Sequence, residues 1–222
     1  MTYGIPKPLL PVGGKPVIDY VIDNLMTAKE ITTIYVAVSH MENTIRSYFV
    51  HTPRNKVSIE TITTLGWETA GDLKIVAIEK GIDEPIVVAY GDNVTNINIA
   101  KMIEFHKKKD RKATIALFKV PKAEVGRFGI AKMEDNFITE FVEKPSKGIS
   151  SNLANAGYYV IEPEVISMLP DKKIKMEELI FPKLAKEREL VGFVYHPKYW
   201  LDIGTLEAYR KANRMMEGIL PP

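Results

Sequence analysis

The sequence predicts an α/β fold built on a helix-covered, mostly parallel sheet, and three observations carry that expectation. Apolar, β-branched runs of strand length alternate with segments whose apolar residues recur at three- and four-residue steps. The runs at 31–38 and 85–90 are nearly continuous in apolar residues, as strands covered on both faces are. The second run stops at Gly91-Asp92-Asn93, which delivers an acid to the carboxyl end of a strand, where ligands of such sheets bind. With 222 residues, 45% of them hydrophobic, the chain can bury a sizeable core, and a single domain over 1–222 is expected.

The chain opens with Pro6-Lys7-Pro8-Leu9-Leu10-Pro11-Val12-Gly13-Gly14-Lys15-Pro16. Prolines 6, 8 and 11 favour an extended backbone that presents Lys7 outward to an anion; a polyproline segment docking on another surface is the alternative. A helix follows over 16–26, with Pro16 in its first turn. Next come a strand at 31–38, a short helix at 42–50, a strand at 57–62 and a loop entering a helix over 68–76. After the strand at 85–90, a helix from Asn96 runs into His106-Lys107-Lys108-Lys109-Asp110-Arg111-Lys112, a basic run that complements the helix dipole and reads as a solvated end. Residues 113–120 read as a strand, 126–143 as short strands turning back on one another, 155–161 as a strand and 163–169 as a short helix. The segment 146–152 reads as a mobile loop, 175–187 as a helix interrupted by Pro182, 190–195 as a strand, and 205–217 as an amphipathic helix capped by Thr205.

Composition narrows the classes of function. Thirty Lys+Arg against 28 Asp+Glu leave a net charge of +2, which is no electrostatic footprint for nucleic acid or an anionic membrane. The absence of cysteine excludes disulfides and thiolate metal sites. No apolar run approaches the roughly 20 residues that span a bilayer, and no leader pattern opens the chain, so a soluble cytoplasmic protein is expected.

Five further stretches carry chemistry-bearing residues. Asp92 ends an apolar strand, and Asp202 ends the apolar part of Tyr199-Trp200-Leu201-Asp202-Ile203-Gly204-Thr205; each alone reads equally as a cap of the turn or helix that follows. Glu143-Lys144-Pro145 reads alone as a solvated turn, and Gly129 and Gly157 as glycines of tight β turns.

Taken in order, these stretches resemble the sugar-phosphate nucleotidylyltransferases, the family of the glucose-1-phosphate thymidylyltransferases and mannose-1-phosphate guanylyltransferases. Residues 2–16 are similar to the second half of the signature that opens that family. Gly91-Asp92-Asn93 matches its G-D-N, Glu143-Lys144-Pro145 its E-K-P, Asn155-Ala156-Gly157-Tyr158-Tyr159 its N-A-G-x-Y, and Trp200 to Thr205 its W-x-D-x-G-T. Arg127-Phe128-Gly129-Ile130 resembles its Y-G-V element with Phe for Tyr. Leu65-Gly66-Trp67-Glu68-Thr69-Ala70-Gly71-Asp72-Leu73 resembles its L-G-T-A-G-A-L base-binding loop with Trp67 and Glu68 inserted.

The resemblance implies a Rossmann-like three-layer nucleotidyltransferase fold and transfer of a nucleotidyl group from a nucleoside triphosphate to a sugar 1-phosphate. It implies that Asp92 and Asp202 share a Mg²⁺ ion, that Lys7 serves catalysis and the nucleotide phosphates, and that Glu68, Gly71 and Gly91 border the nucleotide. It places Lys144 on the sugar phosphate, Glu143 on sugar hydroxyls, and Gly129, Asn155, Gly157 and Trp200 around the sugar. The base, the sugar and any homo-oligomer stay open. The family's glycine-rich G-x-G-T-R-L loop has no counterpart before Met1-Thr2, so a truncated form of a longer enzyme is expected, with a sugar-nucleotide-binding protein without turnover as the alternative. No hexapeptide repeat follows Asn213, so no added acyltransferase domain is expected. A glycosyltransferase of similar sheet architecture would use a carboxylate pair but gives no reason for Lys7 in its proline frame.

Overall fold

The computed structural model describes residues 4–146 and 149–218. A 3-10 turn at Lys7–Leu9 precedes β1 (Pro11–Val12), β2 (Lys15–Pro16), α1 (Val17–Leu25), β3 (Thr33–Val38), α2 (Glu42–His51), β4 (Ser58–Thr63), α3 (Glu68–Lys80), β5 (Ile86–Ala89) and β6 (Asn93–Thr95). Then follow α4 (Ile99–Lys109), β7 (Ala113–Lys119), a 3-10 helix at Lys122–Arg127, β8 (Gly129–Glu134), β9 (Phe137–Glu143) and β10 (Leu153–Ile161). The chain closes with α5 (Pro163–Ser167), α6 (Met176–Lys186), β11 (Leu190–Val194), β12 (Trp200–Asp202) and α7 (Leu206–Glu217).

These elements fall into two compact units. The first holds residues 1–63, 90–100 and 197–222, and the second holds 64–89 and 101–196. In the first unit β3 and β4 pair in parallel, while β12 pairs antiparallel with β6. Its core gathers Leu10, Val12, Val17, Val94, Leu201, Ile203, Ala212 and Met216, with Tyr20, Tyr199 and Tyr209 packed against it. Three polar ties hold that core to the proline-rich stretch. Tyr20 Oη donates to the Val12 carbonyl at 2.8 Å, Tyr209 Oη to the Pro11 carbonyl at 2.7 Å, and the Gly13 amide to Asn213 Oδ1 at 3.0 Å. The α7 cap is as expected, with the Ala208 amide donating to Thr205 Oγ1.

The second unit is a six-stranded sheet in the order β5-β10-β7-β11-β9-β8, with β10 also reaching β8. Helix α6 lies over β9, and Phe181 meets the rings of Tyr159 at 4.8 Å and Phe141 at 5.4 Å, both edge-on.

Several expectations need correction. The six-stranded sheet is mixed, but among the described pairings only β3–β4 and β7–β11 are parallel. A continuous apolar run marks a strand covered on both faces whatever its direction, and β7 and β10 are nearly buried throughout although most of their partners are antiparallel. β3 is not such a strand, since only Ile34 and Val38 are buried, and every residue of β5 is half-buried. Lys7 begins a 3-10 turn instead of an extended segment, because the Leu9 amide bonds the Pro6 carbonyl and the Leu10 amide the Lys7 carbonyl. Helix α6 runs through Pro182 unbroken, its buried face of Met176, Ile180, Phe181, Leu184 and Ala185 offsetting the missing amide. His106 is buried, not part of a solvated end, with ring nitrogens 2.8 Å from Thr114 Oγ1 and Glu162 Oε1. Helix α3 begins at Glu68, with no loop before it past Trp67. The loop expected at 146–152 lies partly outside the described residues, as do Met1 and Thr2.

Candidate active site

In the first unit, the register of β12 on β6 sets Asp202 opposite Asn93 and so beside Asp92, which occupies the turn before β6. Lys7 reaches the same place from the 3-10 turn, and its ammonium bonds Asp92 Oδ2. Both side chains are about one-third exposed, so the pair is within reach of a ligand and adds little stability. Asp202 Oδ1 accepts from the Gly204 amide, and a Cβ on Gly204 would stand 2.8 Å from that oxygen and 4.0 Å from Lys7 Nζ. A side chain at position 204 would press on the Asp202 carboxylate.

The donor set is two carboxylates and an ammonium. Among the described residues no cluster of three or more His, Asp or Glu is placed to hold a metal. Two carboxylates, one in the turn before β6 and one at the end of β12, suit a hard cation that completes its shell with phosphate oxygens and water, as magnesium does. The residues present therefore fit that ion. Gly91 is packed by its own chain, since a Cβ there would meet Ile18 Cδ1 at 3.3 Å and Pro8 Cγ at 3.9 Å. Trp200 is half-buried in β12, across from Thr95.

In the second unit, Gly129 and Glu143 are register partners on β8 and β9. A Cβ on Gly129 would lie 2.6 Å from Phe141 Cζ and 2.8 Å from Glu143 Oε2, so the glycine makes the room the carboxylate occupies. Burial pushes the Glu143 carboxyl above the usual range, and the Glu177 carboxylate adds to the effect. Lys144 is well exposed, with Nζ 4.0 Å from Glu143 Oε1. Its φ of 46° is held by the Lys144 amide donating to the Phe128 carbonyl.

Asn155 and Gly157 sit in a bulge, where β10 spends the residues from Asn155 to Tyr159 against only Leu117 to Ile115 of β7. Gly157 has φ 78°, and its amide donates to Asn155 Oδ1 at 2.9 Å. Both residues are buried, and the positive φ gives this glycine a turn-forming role. The inserted Trp67 and Glu68 fall at the start of α3. The Trp67 carbonyl accepts from Ile174, the Ala70 amide donates back to the Ile174 carbonyl, and Asp72 Oδ1 accepts from the Trp67 amide at 2.8 Å. Glu68 is exposed with φ 61° and faces Lys173 Nζ at 3.9 Å. Gly71 is a packing residue, because a Cβ there would strike Trp67 Cβ at 2.5 Å and the Lys172 carbonyl at 2.6 Å.

The structure thus assembles Lys7, Asp92 and Asp202 in one unit and Gly129 with Glu143 and Lys144 in the other. It also contains residues that no motif announced. Glu177 is 5% exposed and accepts from Tyr159 Oη at 3.2 Å and Thr69 Oγ1 at 2.9 Å. Helical periodicity could have found it, since Glu177 shares a face with Ile180, Phe181 and Leu184 and a buried acid needs partners.

A family model described as Nucleotidyl transferase matches residues 1–218. The chain belongs to the nucleotidyl transferase family. It is 32% identical over 213 residues to the mannose-1-phosphate guanyltransferase of Saccharomyces cerevisiae, covering 92% of this chain and 57% of that protein. It is 31% identical over 238 residues to the glucose-1-phosphate adenylyltransferase of Clostridium acetobutylicum, covering 96% of this chain and 62% of that protein. A crystal structure of UDP-glucose pyrophosphorylase complexed with UDP-glucose superposes with a TM-score of 0.84 at 20% identity, over 97% of this chain and 92% of that one, which shows the shared Rossmann-like fold. The chain spans 56–64% of the length of the first curated relatives it matches. Among the described residues no helix is long and apolar enough to cross a membrane.

Proposed function

We propose that this chain transfers a nucleotidyl group from a nucleoside triphosphate to a sugar 1-phosphate in the cytoplasm, giving a nucleoside diphosphate sugar and pyrophosphate. The observation that carries the reading is the Lys7, Asp92 and Asp202 cluster, formed from three distant stretches of sequence. A phosphate oxygen of the sugar 1-phosphate attacks the α-phosphorus, the new P–O bond forming as the bond to the β-phosphate's bridging oxygen breaks. That oxygen is already anionic at neutral pH, so no general base is required. Lys7 offsets charge on the nucleotide phosphates, and its ion pair with Asp92 fixes where its ammonium stands. Asp92 and Asp202 would hold Mg²⁺, which when bound neutralises phosphate charge and orients the oxygens.

Lys144, well exposed, takes the sugar phosphate, while Glu143, in the room that Gly129 leaves for its carboxylate, accepts hydrogen bonds from sugar hydroxyls. Asn155, Gly157 and Trp200 complete the sugar contacts, and Glu68, Gly71 and Gly91 border the nucleotide. Relatives named for guanylyl and adenylyl transfer support the reaction class and leave the base open. Pyrophosphate release, assayed over a matrix of nucleoside triphosphates and sugar 1-phosphates with and without magnesium, tests the reading. Release that needs magnesium and disappears in Lys7→Ala and Asp92→Asn supports it. Silence across the matrix with ligand binding retained would replace it by a sugar-nucleotide-binding protein without turnover.

A further inference from the structure

From the sugar residues Gly157 and Asn155 of the second unit runs a continuous chain of hydrogen bonds. The Gly157 amide donates to Asn155 Oδ1 at 2.9 Å, and Asn155 Nδ2 donates to Tyr159 Oη at 2.7 Å. Tyr159 Oη donates to Glu177 Oε1 at 3.2 Å, and Thr69 Oγ1 donates to Glu177 Oε2 at 2.9 Å. The Met176 amide in turn donates to Thr69 Oγ1 at 2.9 Å. Tyr159 is fully buried, Glu177 5% and Asn155 9% exposed, so water does not substitute for these partners.

The direction of every proton in the chain is set by its ends. Asn155 turns its oxygen to the Gly157 amide and so presents its amide nitrogen to Tyr159 Oη, which accepts there and gives its own proton to Glu177. The Gly157 amide only donates, which turns Asn155 Oδ1 toward it. The second oxygen of the same carboxylate anchors Thr69, one residue after Glu68 in the first turn of α3. One buried side chain therefore fastens both the bulge that carries Asn155 and the helix start that carries the base-binding loop.

We propose that Glu177 is a positioning residue that holds Asn155 through Tyr159 and the start of α3 through Thr69, so that sugar 1-phosphate and nucleotide sites are set by one carboxylate. This rests on the nucleotidyl-transfer reading for the identity of the two ligands. The Glu177 charge also acts on Glu143, together with Glu178, Lys144 and Lys175, and it favours the protonated form of Glu143.

The test uses the full chain and calorimetric titration with glucose 1-phosphate, mannose 1-phosphate and the nucleoside triphosphates. Tyr159→Phe cuts only the sugar arm and is expected to weaken sugar 1-phosphate binding about tenfold while leaving nucleotide affinity within twofold. Thr69→Val cuts only the nucleotide arm and gives the reverse. Glu177→Leu weakens both, whereas Glu177→Gln, which can still accept from Tyr159 and donate to Thr69, restores both and moves the acid edge of sugar-phosphate binding to lower pH. A merely structural role would lower both affinities alike in every variant, and that result would overturn the proposal. If the wild-type chain binds neither ligand, the nucleotidyl-transfer reading fails. Hydrogen exchange still decides the proposal, since Glu177→Leu is expected to speed exchange of the Gly157 and Ala70 amides about tenfold over the rest of the second unit, and unchanged protection at both would overturn it.

Discussion

Gly129→Ala inserts one methyl group where the second unit has no space. The ideal Cβ would lie 2.6 Å from Phe141 Cζ, 3.2 Å from Phe141 Cε1 and 2.8 Å from Glu143 Oε2. Carbon contacts are comfortable at about 3.5–4.0 Å, so the ring must retreat by about 1 Å. Phe141 is 4% exposed and already set edge-on against Phe181 at 5.4 Å, which leaves it nowhere to go without moving α6. Overpacking of this kind costs roughly 1–3 kcal/mol, and each kcal/mol lowers Tm by about 2–4 °C at this chain length. The carboxylate is pushed as well, so sugar 1-phosphate affinity falls with stability. Differential scanning calorimetry and titration with glucose 1-phosphate read the two effects. Gly126→Ala is the control, because its Cβ meets only the Pro145 carbonyl at an ordinary 3.4 Å. Adding Phe141→Leu to Gly129→Ala removes the ring atoms in conflict and should return part of the lost Tm. A Gly129→Ala chain that melts within a degree of wild type and binds sugar phosphate unchanged would refute the reasoning.

Three further outcomes are expected. Lys7→Ala should lower Tm by no more than about 4 °C, since its partly exposed ion pair with Asp92 is worth at most about 1 kcal/mol, yet reduce turnover by roughly a hundredfold or more, measured as initial rates of pyrophosphate release. Because Glu143 is pushed up by burial and by Glu177, it takes its proton at a higher pH than an exposed glutamate. Sugar-phosphate binding that needs the ionised form is present above that raised pKa and lost as pH falls through it, and this acid edge should vanish in Glu143→Gln when affinity is followed against pH. In the first unit, Tyr48 Oη donates to Asp19 Oδ2 at 2.6 Å while Arg54 Nη2 reaches Asp19 Oδ1 at 2.7 Å, and burial followed by the Asp19 contact pushes the Tyr48 hydroxyl up to about 12. Tyr48→Phe should cost about 1–2 kcal/mol by chemical denaturation without altering turnover, and Tyr48 should stay unionised to well beyond pH 10 in an absorbance titration.

Much of this was legible in the sequence because it is local. The period of apolar residues marked α1, α2, α4, β7 and α7 close to their observed bounds, and Thr205 marked its own cap. The resemblance groups Lys7, Asp92 and Asp202; the antiparallel register of β12 on β6 sets the two acids side by side, and Lys7 joins them from the 3-10 turn through Asp92. Strand direction was not legible, since continuous burial looks alike in parallel and antiparallel strands, as β10 demonstrates with antiparallel neighbours on both edges. Pro182 and His106 were misread for a related reason, because tertiary burial of α6 and the Thr114 and Glu162 partners of His106 outweigh what each residue favours alone. Glu177 escaped because its partners, Thr69 and Tyr159, are remote in sequence and come together only in the fold. Gly71 and Gly91 carried family roles by resemblance, whereas the distances show the packing that each also serves.

The central claim is direct attack of the sugar phosphate on the α-phosphorus at the Lys7, Asp92 and Asp202 cluster. Sugar 1-phosphate labelled with ¹⁸O in its phosphate oxygens, incubated with a nucleoside triphosphate and magnesium, measures this in one product. The account predicts a nucleoside diphosphate sugar whose oxygen bridging the two phosphorus atoms carries the label, formed by the wild-type chain and absent with Asp202→Asn. Unlabelled bridging oxygen, or nucleoside monophosphate released with no sugar nucleotide, would contradict it.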